Sequence, residues 1–136
     1  MTLAGGARQV AALCWRKRKG RTEILLITSR ETKRWVIPKG WPMPPLKDYN
    51  AARREAFEEA GVSGHMSRLP IGHFTYAKRS KGLVTDVRVD VYDLEVTREH
   101  KSWPEKRERL RHWVLPEEAA FRVNEDELKR LIAGFA

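Results

Sequence analysis

Cysteine is nearly absent from this chain of 136 residues, in which Cys14 is the only one. A single cysteine cannot form an intramolecular disulfide, so a disulfide-stabilised fold is excluded and a reducing, cytoplasmic environment is predicted. Cys14 lies within the apolar run from Val10 to Trp15. This setting predicts a buried thiol rather than a reactive nucleophile.

Long apolar segments are absent as well. The N-terminal sequence MTLAGGARQ lacks the hydrophobic core of a signal peptide, and no stretch approaches the length needed to span a membrane. Zinc is disfavoured, because neither H-x-H nor H-E-x-x-H spacing occurs among His65, His73, His100 and His112. We expect a soluble, cytoplasmic protein without a membrane partner, folded as a single domain over residues 1–136.

Negative charge is in deficit, since 27 Lys and Arg residues face 18 Asp and Glu residues and give a formal net charge of +9. The resulting positive field attracts polyanions such as nucleic acids, nucleotides and inositol phosphates. A nucleic-acid partner is disfavoured because the sequence shows no recognition helix or stacking pattern. The predicted partner is therefore a small-molecule polyphosphate.

Three carboxylates follow helical spacing near the middle of the chain. Glu55, Glu58 and Glu59 stand at i, i+3 and i+4, so they share one face of a helix. Asp48 is the predicted N-cap of this helix, and Gly61 suits the left-handed position just after its end. The other sides carry residues that allow packing on a sheet, namely Tyr49, Ala52, Ala56, Phe57 and Ala60.

The acidic face allows two interpretations. Like charges this close repel one another by roughly 0.2–0.5 kcal/mol per pair, so a cation beside them would be stabilising. Hard divalent cations such as Mg²⁺ or Mn²⁺ prefer oxygen ligands of this kind and are usually completed by substrate phosphates. The alternative is an ordinary solvated helix face that binds no ion.

The surrounding residues resemble the Nudix box, whose pattern is G-x5-E-x7-R-E-U-x-E-E-x-G-U, with U an aliphatic residue. The matching positions are Gly40, Arg54, Glu55, Glu58, Glu59, Gly61 and Val62. Ala56 fills the first U position with a small apolar side chain. Leu46 is the departure, because it stands where the pattern has its first glutamate.

This resemblance implies a role for each residue of the box. Glu55 and Glu59 would hold a divalent metal ion together, and the backbone carbonyl of Gly40 would be a further ligand. Glu58 would bind a second metal ion or take a proton from water, and Arg54 would orient a box glutamate. In other members of the family the base lies at the position of Glu55 or outside the box, so its identity stays open.

Residues 97–109 form a late segment that is dense in charge and has no regular period. The resemblance implies that a loop in this place can supply a metal ligand or the base, which makes Glu105 and Glu108 candidates. The alternative is that both are ordinary surface acids among basic neighbours.

The substrate class is also implied by resemblance. The run RWVIPKGW and the segment from Trp103 to Trp113 look like those of diphosphoinositol polyphosphate phosphohydrolases, and Pro38-Lys39-Gly40 also looks like diadenosine polyphosphate hydrolases. Lys39, Arg34 and Arg30 flank the box and are the predicted phosphate contacts.

Two functions are compatible with these features. The first is a divalent-metal-dependent pyrophosphohydrolase that cleaves a phosphoanhydride in a nucleoside-diphosphate-linked compound, a dinucleoside polyphosphate or an inositol pyrophosphate. The alternative is a catalytically weak Nudix-fold module that binds phosphorylated ligands.

Strand patterns flank the acidic helix. Residues 9–15 and 23–28 are apolar almost without a break and predict a hairpin covered on both faces, and residues 35–37 and 110–115 predict further strands. Residues 85–91 alternate strictly, which predicts a half-buried strand whose polar side faces either the active cleft or solvent. The alternation slips at Val91-Tyr92, where a bulge or a change of covering is expected.

Two helices are predicted near the C-terminus. Pro116 suits the first turn of a short helix over residues 117–121. Asn124 is the predicted N-cap of the last helix, with Glu127 completing a capping box. A stripe of Leu128, Leu131, Ile132 and Phe135 should dock this helix on the core. Strands between helices predict an α/β fold, a Nudix-type α/β/α sandwich on a mixed β-sheet.

Overall fold

The computed structural model describes residues 7–135. In that range the chain forms eight strands, three α-helices and one π-helical turn. In chain order they are β1 (Arg8–Arg18), β2 (Arg21–Thr28), β3 (Trp35–Val36), β4 (Lys39–Gly40), α1 (Asp48–Glu55), the π-helical turn (Ala56–Ala60), β5 (Val62–Met66), β6 (Gly72–Ser80), β7 (Leu83–Glu99), β8 (Arg111–Val114), α2 (Pro116–Arg122) and α3 (Asp126–Ala133).

The strands form one mixed sheet with β1 near its centre. β1 pairs in parallel with β7 along one edge, and antiparallel with β2 and β4 along the other. β3 and β8 extend the sheet beyond β2, whereas β5 and β6 pair antiparallel with β7. The predicted hairpin and mixed sheet are confirmed.

Helices cover both faces of this sheet. On one face α2 and α3 pack on side chains such as Leu13, and on the other α1 and the π-helical turn pack on side chains such as Val10. Consecutive residues of β1 alternate between the two clusters, which is why the strand reads as an unbroken apolar run. Cys14 is fully buried, as predicted. The α/β/α sandwich is therefore confirmed.

The slip in alternation on β7 marks a change of covering. Val87, Val89 and Val91 all belong to the core beneath α2 and α3, as the alternation predicts. The next residue, Tyr92, is buried in the opposite core, beneath α1. The buried face of the strand thus changes at this point, from the side covered by α2 and α3 to the side covered by α1. The register shift in this part of the sheet lies instead between Ser63 and Gly64 of β5.

Both predicted N-caps are wrong. Lys47 is the N-cap of α1, without a side-chain cap, and the Asp48 carboxylate instead accepts a hydrogen bond of 2.8 Å from Arg8. α3 begins at Asp126 rather than after Asn124, and the carboxylate of Glu127 accepts the backbone N–H of Thr75 at 2.8 Å. In both cases a partner distant in sequence has replaced the local cap.

Other end signals behave as predicted. Gly61 follows the π-helical turn with a φ of 68°, in the left-handed region that favours glycine. Pro116 is in the first turn of α2. Leu128 and Ile132 are buried, and Leu131 and Phe135 pack against the same core, so the predicted stripe of α3 is confirmed. Among residues 7–135, no helix combines the length and the apolar character needed to cross a membrane.

Candidate active site

Two of the three helix carboxylates are buried together. The helix lies close to the sheet because the residues at their contact are small. Ala51, Ala52 and Ala56 are fully buried there. Glu55 and Glu59 are thereby enclosed, with only 9% and 8% of their surface exposed. The last helical turn is π-helical rather than α-helical, a distortion that is frequent at functional sites.

Gly40 forms the wall against which the Glu55 carboxyl lies. A Cβ at position 40 would overlap the carboxyl carbon and an oxygen of Glu55. Next to it, the backbone N–H of Lys39 donates a hydrogen bond of 3.3 Å to Glu59 Oε1. Strand β4 thus brings Gly40 and the glutamate pair together, although 15–19 positions separate them in sequence.

Burial raises the tendency of both Glu55 and Glu59 to hold a proton. Burial is the main cause that raises the pKa of Glu59, to about 8, with Arg109 opposing the rise and Glu55 adding to it. Burial also raises the pKa of Glu55, while its hydrogen bond with Glu59 opposes the rise. Glu55 and Glu59 therefore bind protons more readily than two exposed glutamates would.

Arg109 is the cation closest to this pair, and the sequence patterns missed it. Its Nη2 lies 3.8 Å from Glu59 Oε2, its Nε donates a hydrogen bond of 2.7 Å to Glu105, and its Nη1 donates to the carbonyl of Thr28 at 3.1 Å. The i, i+4 spacing of Glu105 and Arg109 was the available signal within the charged segment. Arg109 therefore links the late loop to the helix glutamates.

The two acids proposed for the late loop lie in different places. Glu105 donates its backbone N–H to the carbonyl of Glu58 at 3.0 Å, and its carboxylate adds to the rise in the pKa values of Glu55 and Glu59. Glu108 is exposed and its carboxylate pairs with Arg30 at 3.3 Å. The loop therefore brings Glu105, and not Glu108, to the site.

Arg54 does not orient a box glutamate in this structure. Its side chain is exposed and lines a cavity on the outer side of the helix. Among residues 7–135 it forms no ion pair or side-chain hydrogen bond with a glutamate, and Arg109 takes that place beside Glu59. Because helix α1 packs on the sheet through its alanines, position 54 points away from the buried pair. Glu58 is half-buried, between the outer side of the helix and the side that carries the buried pair.

A basic cleft of about 620 Å³ opens beside Glu59. It is lined by the three cations that the sequence suggested as phosphate contacts, Arg30, Arg34 and Lys39. Three further cations line the same cleft: Lys78, Arg79 and Arg109. Only two acids, Glu31 and Glu59, are among its lining residues. The cleft is therefore a strongly positive surface that reaches Glu59 of the carboxylate pair.

Lys39 is a half-buried cation of this cleft. Its ammonium group sits 4.8 Å from the centre of the Tyr76 ring, within the range of a cation–π contact. Burial lowers the pKa of Lys39, an effect that Glu59 opposes and Arg34 reinforces. An anionic ligand in the cleft would favour the charged form of this lysine.

The end of the acidic helix is held by a stacked pair, Trp103 and Arg111. The Arg111 guanidinium lies 4.0 Å from the Trp103 ring centre and donates hydrogen bonds of 2.9–3.2 Å to the carbonyls of Ala60, Gly61 and His100. The Trp103 ring in turn lies against Gly61, where a Cβ would overlap it. This contact fixes the late loop to the helix that carries the glutamates.

Leu46, the departure from the box pattern, lies away from the buried pair. It is 36% exposed and lines a cavity of about 510 Å³ on the outer side of the helix, together with Arg53, Arg54, Phe57 and His100 among others. Its side chain therefore contacts a different surface from the one that Glu55 and Glu59 form.

The acidic residues fit a hard divalent cation. No cluster of three or more His, Cys, Asp or Glu side chains with metal-binding geometry occurs among residues 7–135. Glu55 and Glu59 nevertheless offer two adjacent buried carboxylates, and Mg²⁺ is commonly held by one or two carboxylates together with waters and substrate phosphates. A cation there would also offset the repulsion between the two carboxylates.

Comparison with known proteins assigns the chain to a family. The family profile described as NUDIX domain matches residues 7–135. The chain therefore belongs to the Nudix hydrolase family, in agreement with the sandwich fold and with the box residues in the sequence.

Two relatives illustrate the similarity in sequence. Diphosphoinositol polyphosphate phosphohydrolase 3-beta of Bos taurus is 35% identical over 117 residues, which cover 85% of this chain and 68% of that protein. Nudix hydrolase 12, mitochondrial, of Arabidopsis thaliana is 31% identical over 117 residues, covering 83% of this chain. The aligned region spans only 58% of the length of the plant protein.

Solved structures show the same fold. The C. elegans Ap4A hydrolase in a binary complex superimposes with a TM-score of 0.69 and 24% identity, covering 93% of both chains. The MutT protein from Methanosarcina mazei Go1 superimposes with a TM-score of 0.69 and 19% identity, covering 98% of this chain and 94% of the other. At these identities the comparison concerns the fold alone.

Proposed function

We propose that this protein is a divalent-metal-dependent pyrophosphohydrolase that cleaves a phosphoanhydride bond. The observation that supports this most directly is the basic cleft, which six cationic side chains line together with Glu59, one member of the buried pair of Glu55 and Glu59. A cleft of this charge binds polyphosphate, and the carboxylates at its end suit the metal ion, Mg²⁺ or Mn²⁺, that phosphoryl transfer requires.

Each residue of the site then has a chemical role. Glu55 and Glu59, with the Gly40 carbonyl beside them, are the proposed metal ligands. A bound divalent ion supplies Lewis-acid stabilisation of the charge that develops on the phosphate oxygens. Arg109 lies beside Oε2 of Glu59, and the backbone N–H of Lys39 donates to Oε1. Together these contacts hold the carboxylate beside the cleft.

Glu58 is the proposed base. Glu55 and Glu59 are engaged with each other, and Glu59 also accepts from Lys39, whereas the half-buried Glu58 carboxylate has no ion-pair partner among residues 7–135. A carboxylate that is free and adjacent to the metal ligands can take the proton from the attacking water. Arg54, which lies outside this arrangement, is not given a catalytic role.

Three substrate classes are proposed. The relatives include a diphosphoinositol polyphosphate phosphohydrolase and the structural neighbours include an Ap4A hydrolase. We therefore propose inositol pyrophosphates, dinucleoside polyphosphates and nucleoside-diphosphate conjugates as the compounds to test first. A phosphate-release screen across these classes, with Mg²⁺ and separately with Mn²⁺, is the direct test.

Substitution of the box glutamates tests the proposed roles. Glu58→Gln and Glu59→Gln should each lower kcat/KM by about two orders of magnitude or more, the scale expected for loss of a general base or of a metal ligand. Circular dichroism should show an unchanged fold. Glu117→Gln, an exposed glutamate on α2, is the matched control and should retain full activity.

Two results would overturn the mechanism. One is full activity of the Glu58→Gln, Glu59→Gln double variant, and the other is undiminished activity in excess EDTA. If the wild-type protein bound polyphosphates but hydrolysed none of the three classes, a binding or regulatory module would replace the hydrolase as the proposed function.

A further inference from the structure

Arg34 stands apart from the other cations of the cleft because its guanidinium is held on one side only. Its Nη2 donates a hydrogen bond of 3.1 Å to Glu125 Oε2. Its Nη1 is buried and has no hydrogen-bond partner among residues 7–135. A buried N–H donor without a partner is unfavourable, and more so when the group is charged. Arg34 also lines the basic cleft, where its side chain is 32% exposed and open to a ligand.

Both ends of Arg34 are fixed. Its backbone N–H donates to Ser29 Oγ at 3.1 Å, and its carbonyl accepts the Ser29 N–H at 2.8 Å, which closes the turn between β2 and β3. The Ser29 hydroxyl also bonds Thr32 Oγ1 at 2.7 Å. The orientation of the guanidinium is therefore set by the one contact at its tip, which is Glu125.

Glu125 is itself held by the fold. It is the residue immediately before α3, and its carbonyl accepts the Lys129 N–H at 2.9 Å. Its side chain is only 12% exposed, so it has little freedom to turn away from Arg34. An acid in this position cannot serve as a mobile surface charge.

We propose that Glu125 is a positioning residue that holds the Arg34 guanidinium in the wall of the cleft, where it can donate to a phosphate oxygen of the substrate. The inference rests on the proposed function, because it takes the cleft to be the polyphosphate site. The partner is defined by its chemistry, an oxyanion of a phosphate group that accepts a charge-assisted hydrogen bond from this guanidinium. Glu125 acts through Arg34 and does not touch the substrate.

The direction in which the affinity for a polyanion changes distinguishes this positioning role from a general effect of net charge. Removing an acid near a positive cleft should tighten the binding of a polyanion if only the net charge matters. Removing a positioning acid should weaken it, because the guanidinium can then turn away from the phosphate and loses preorganisation. The two readings predict opposite changes for the same substitution.

The test measures binding without hydrolysis. Inorganic tripolyphosphate is titrated by calorimetry in excess EDTA into the wild type, Glu125→Ala, Arg34→Met and the double variant. Arg34→Met and Glu125→Ala should each weaken binding by about tenfold, as expected for a hydrogen bond to a charged group. In the Arg34→Met background, Glu125→Ala should have no further effect, because the two residues act as one unit.

Glu31→Ala is the matched control, since Glu31 is an exposed acid that lines the same cleft. It should leave the affinity unchanged or raise it. Glu125→Gln keeps the shape of the side chain and should weaken binding less than Glu125→Ala. If the alanine variant fails to fold, as judged by circular dichroism, the glutamine variant decides the question.

Tighter or unchanged binding in the Glu125 variants, or additive effects in the double variant, would overturn the proposal. Because this experiment contains no divalent metal ion and no turnover, its result is independent of the phosphate-release screen. A protein that hydrolyses none of the tested compounds but shows the coupled weakening would keep the positioning role and lose only the proposed hydrolase activity.

Discussion

Replacing Gly40 with alanine is the substitution whose effect follows most directly from the structure. The added Cβ would overlap the carboxyl group of Glu55, so that carboxyl must move. The φ angle of Gly40 is not in the left-handed region, so an alanine there is not strained in the backbone itself. The perturbation therefore acts through Glu55.

The expected magnitude follows from how far a metal ligand can move. A methyl group displaces its neighbour by roughly 1 Å, and a misplacement of that size can reduce the rate by about 100-fold. Overpacking at this buried contact should also destabilise the fold by about 1–3 kcal/mol, more than the 0.4–1 kcal/mol that a Gly→Ala change contributes through the unfolded chain.

The assay combines kinetics with urea unfolding. The Gly40→Ala variant should show a lower kcat and a higher Mg²⁺ concentration for half-maximal rate than the wild type. Gly134→Ala is the control, because its Cβ would make only an ordinary contact, at 3.4 Å from the carbonyl oxygen of Arg130. Wild-type kinetics and metal dependence in Gly40→Ala would show that contact with the Glu55 carboxyl does not set the activity.

Three further predictions concern metal dependence, pH and stability. Leu46→Glu should change the Mg²⁺ concentration for half-maximal rate by less than about tenfold, because position 46 faces the outer cavity; a larger change, measured by phosphate release, would contradict this. Because the pKa of Glu59 rises from an ordinary 4.5 to about 8, the folded metal-free protein holds a proton that the unfolded chain releases, so its stability should fall as pH rises through that window. The increase in Tm caused by Mg²⁺ should grow between pH 6 and 8 and should not grow in Glu59→Gln, which calorimetry can check. Arg111→Met should lower the free energy of unfolding in urea by about 2–3 kcal/mol, since three carbonyls lose a charged donor, whereas the exposed Arg107→Met should change it little.

The sandwich could be predicted from sequence because its signals are local. The unbroken apolar run of β1, the alternation of Val87, Val89 and Val91, and the stripe of α3 each follow from strand or helix periodicity, and each is found in the structure. The left-handed Gly61 was predictable for the same reason, since its conformation depends on its own missing side chain.

The N-cap predictions failed because a carboxylate near the start of a helix can accept a hydrogen bond from a distant residue instead of from its own helix. Asp48 has the chemistry of a cap, but Arg8 competes for it from 40 positions away. Glu127 similarly accepts from Thr75 of β6 rather than from its own helix. Helix periodicity contains no information about such contacts, which depend on how the sheet brings β1 and β6 beside the helices.

The candidate site was predictable only in part, for a related reason. The spacing of Glu55 and Glu59 placed them on one face, but the role expected of Arg54 is not seen and Arg109 was missed, because the cation beside Glu59 comes from a loop 50 positions later. The position of the Arg34 guanidinium likewise depends on its contact with Glu125, 91 positions later. Contacts of this length are fixed by tertiary packing rather than by any period in the sequence.

The parallel pairing of β1 with β7 also determines when the site can assemble. Arg8 pairs with Arg88, whereas Gly40 pairs with Val10 on the other edge of the same strand. A parallel pair between such distant segments must close a long loop before its contacts become favourable, which makes folding slow. During synthesis, the segment carrying Gly40 and the glutamates emerges well before β7. The edge of β1 that pairs with β7 therefore stays unpaired until β7 has emerged, and the site is complete only after that strand has joined the sheet.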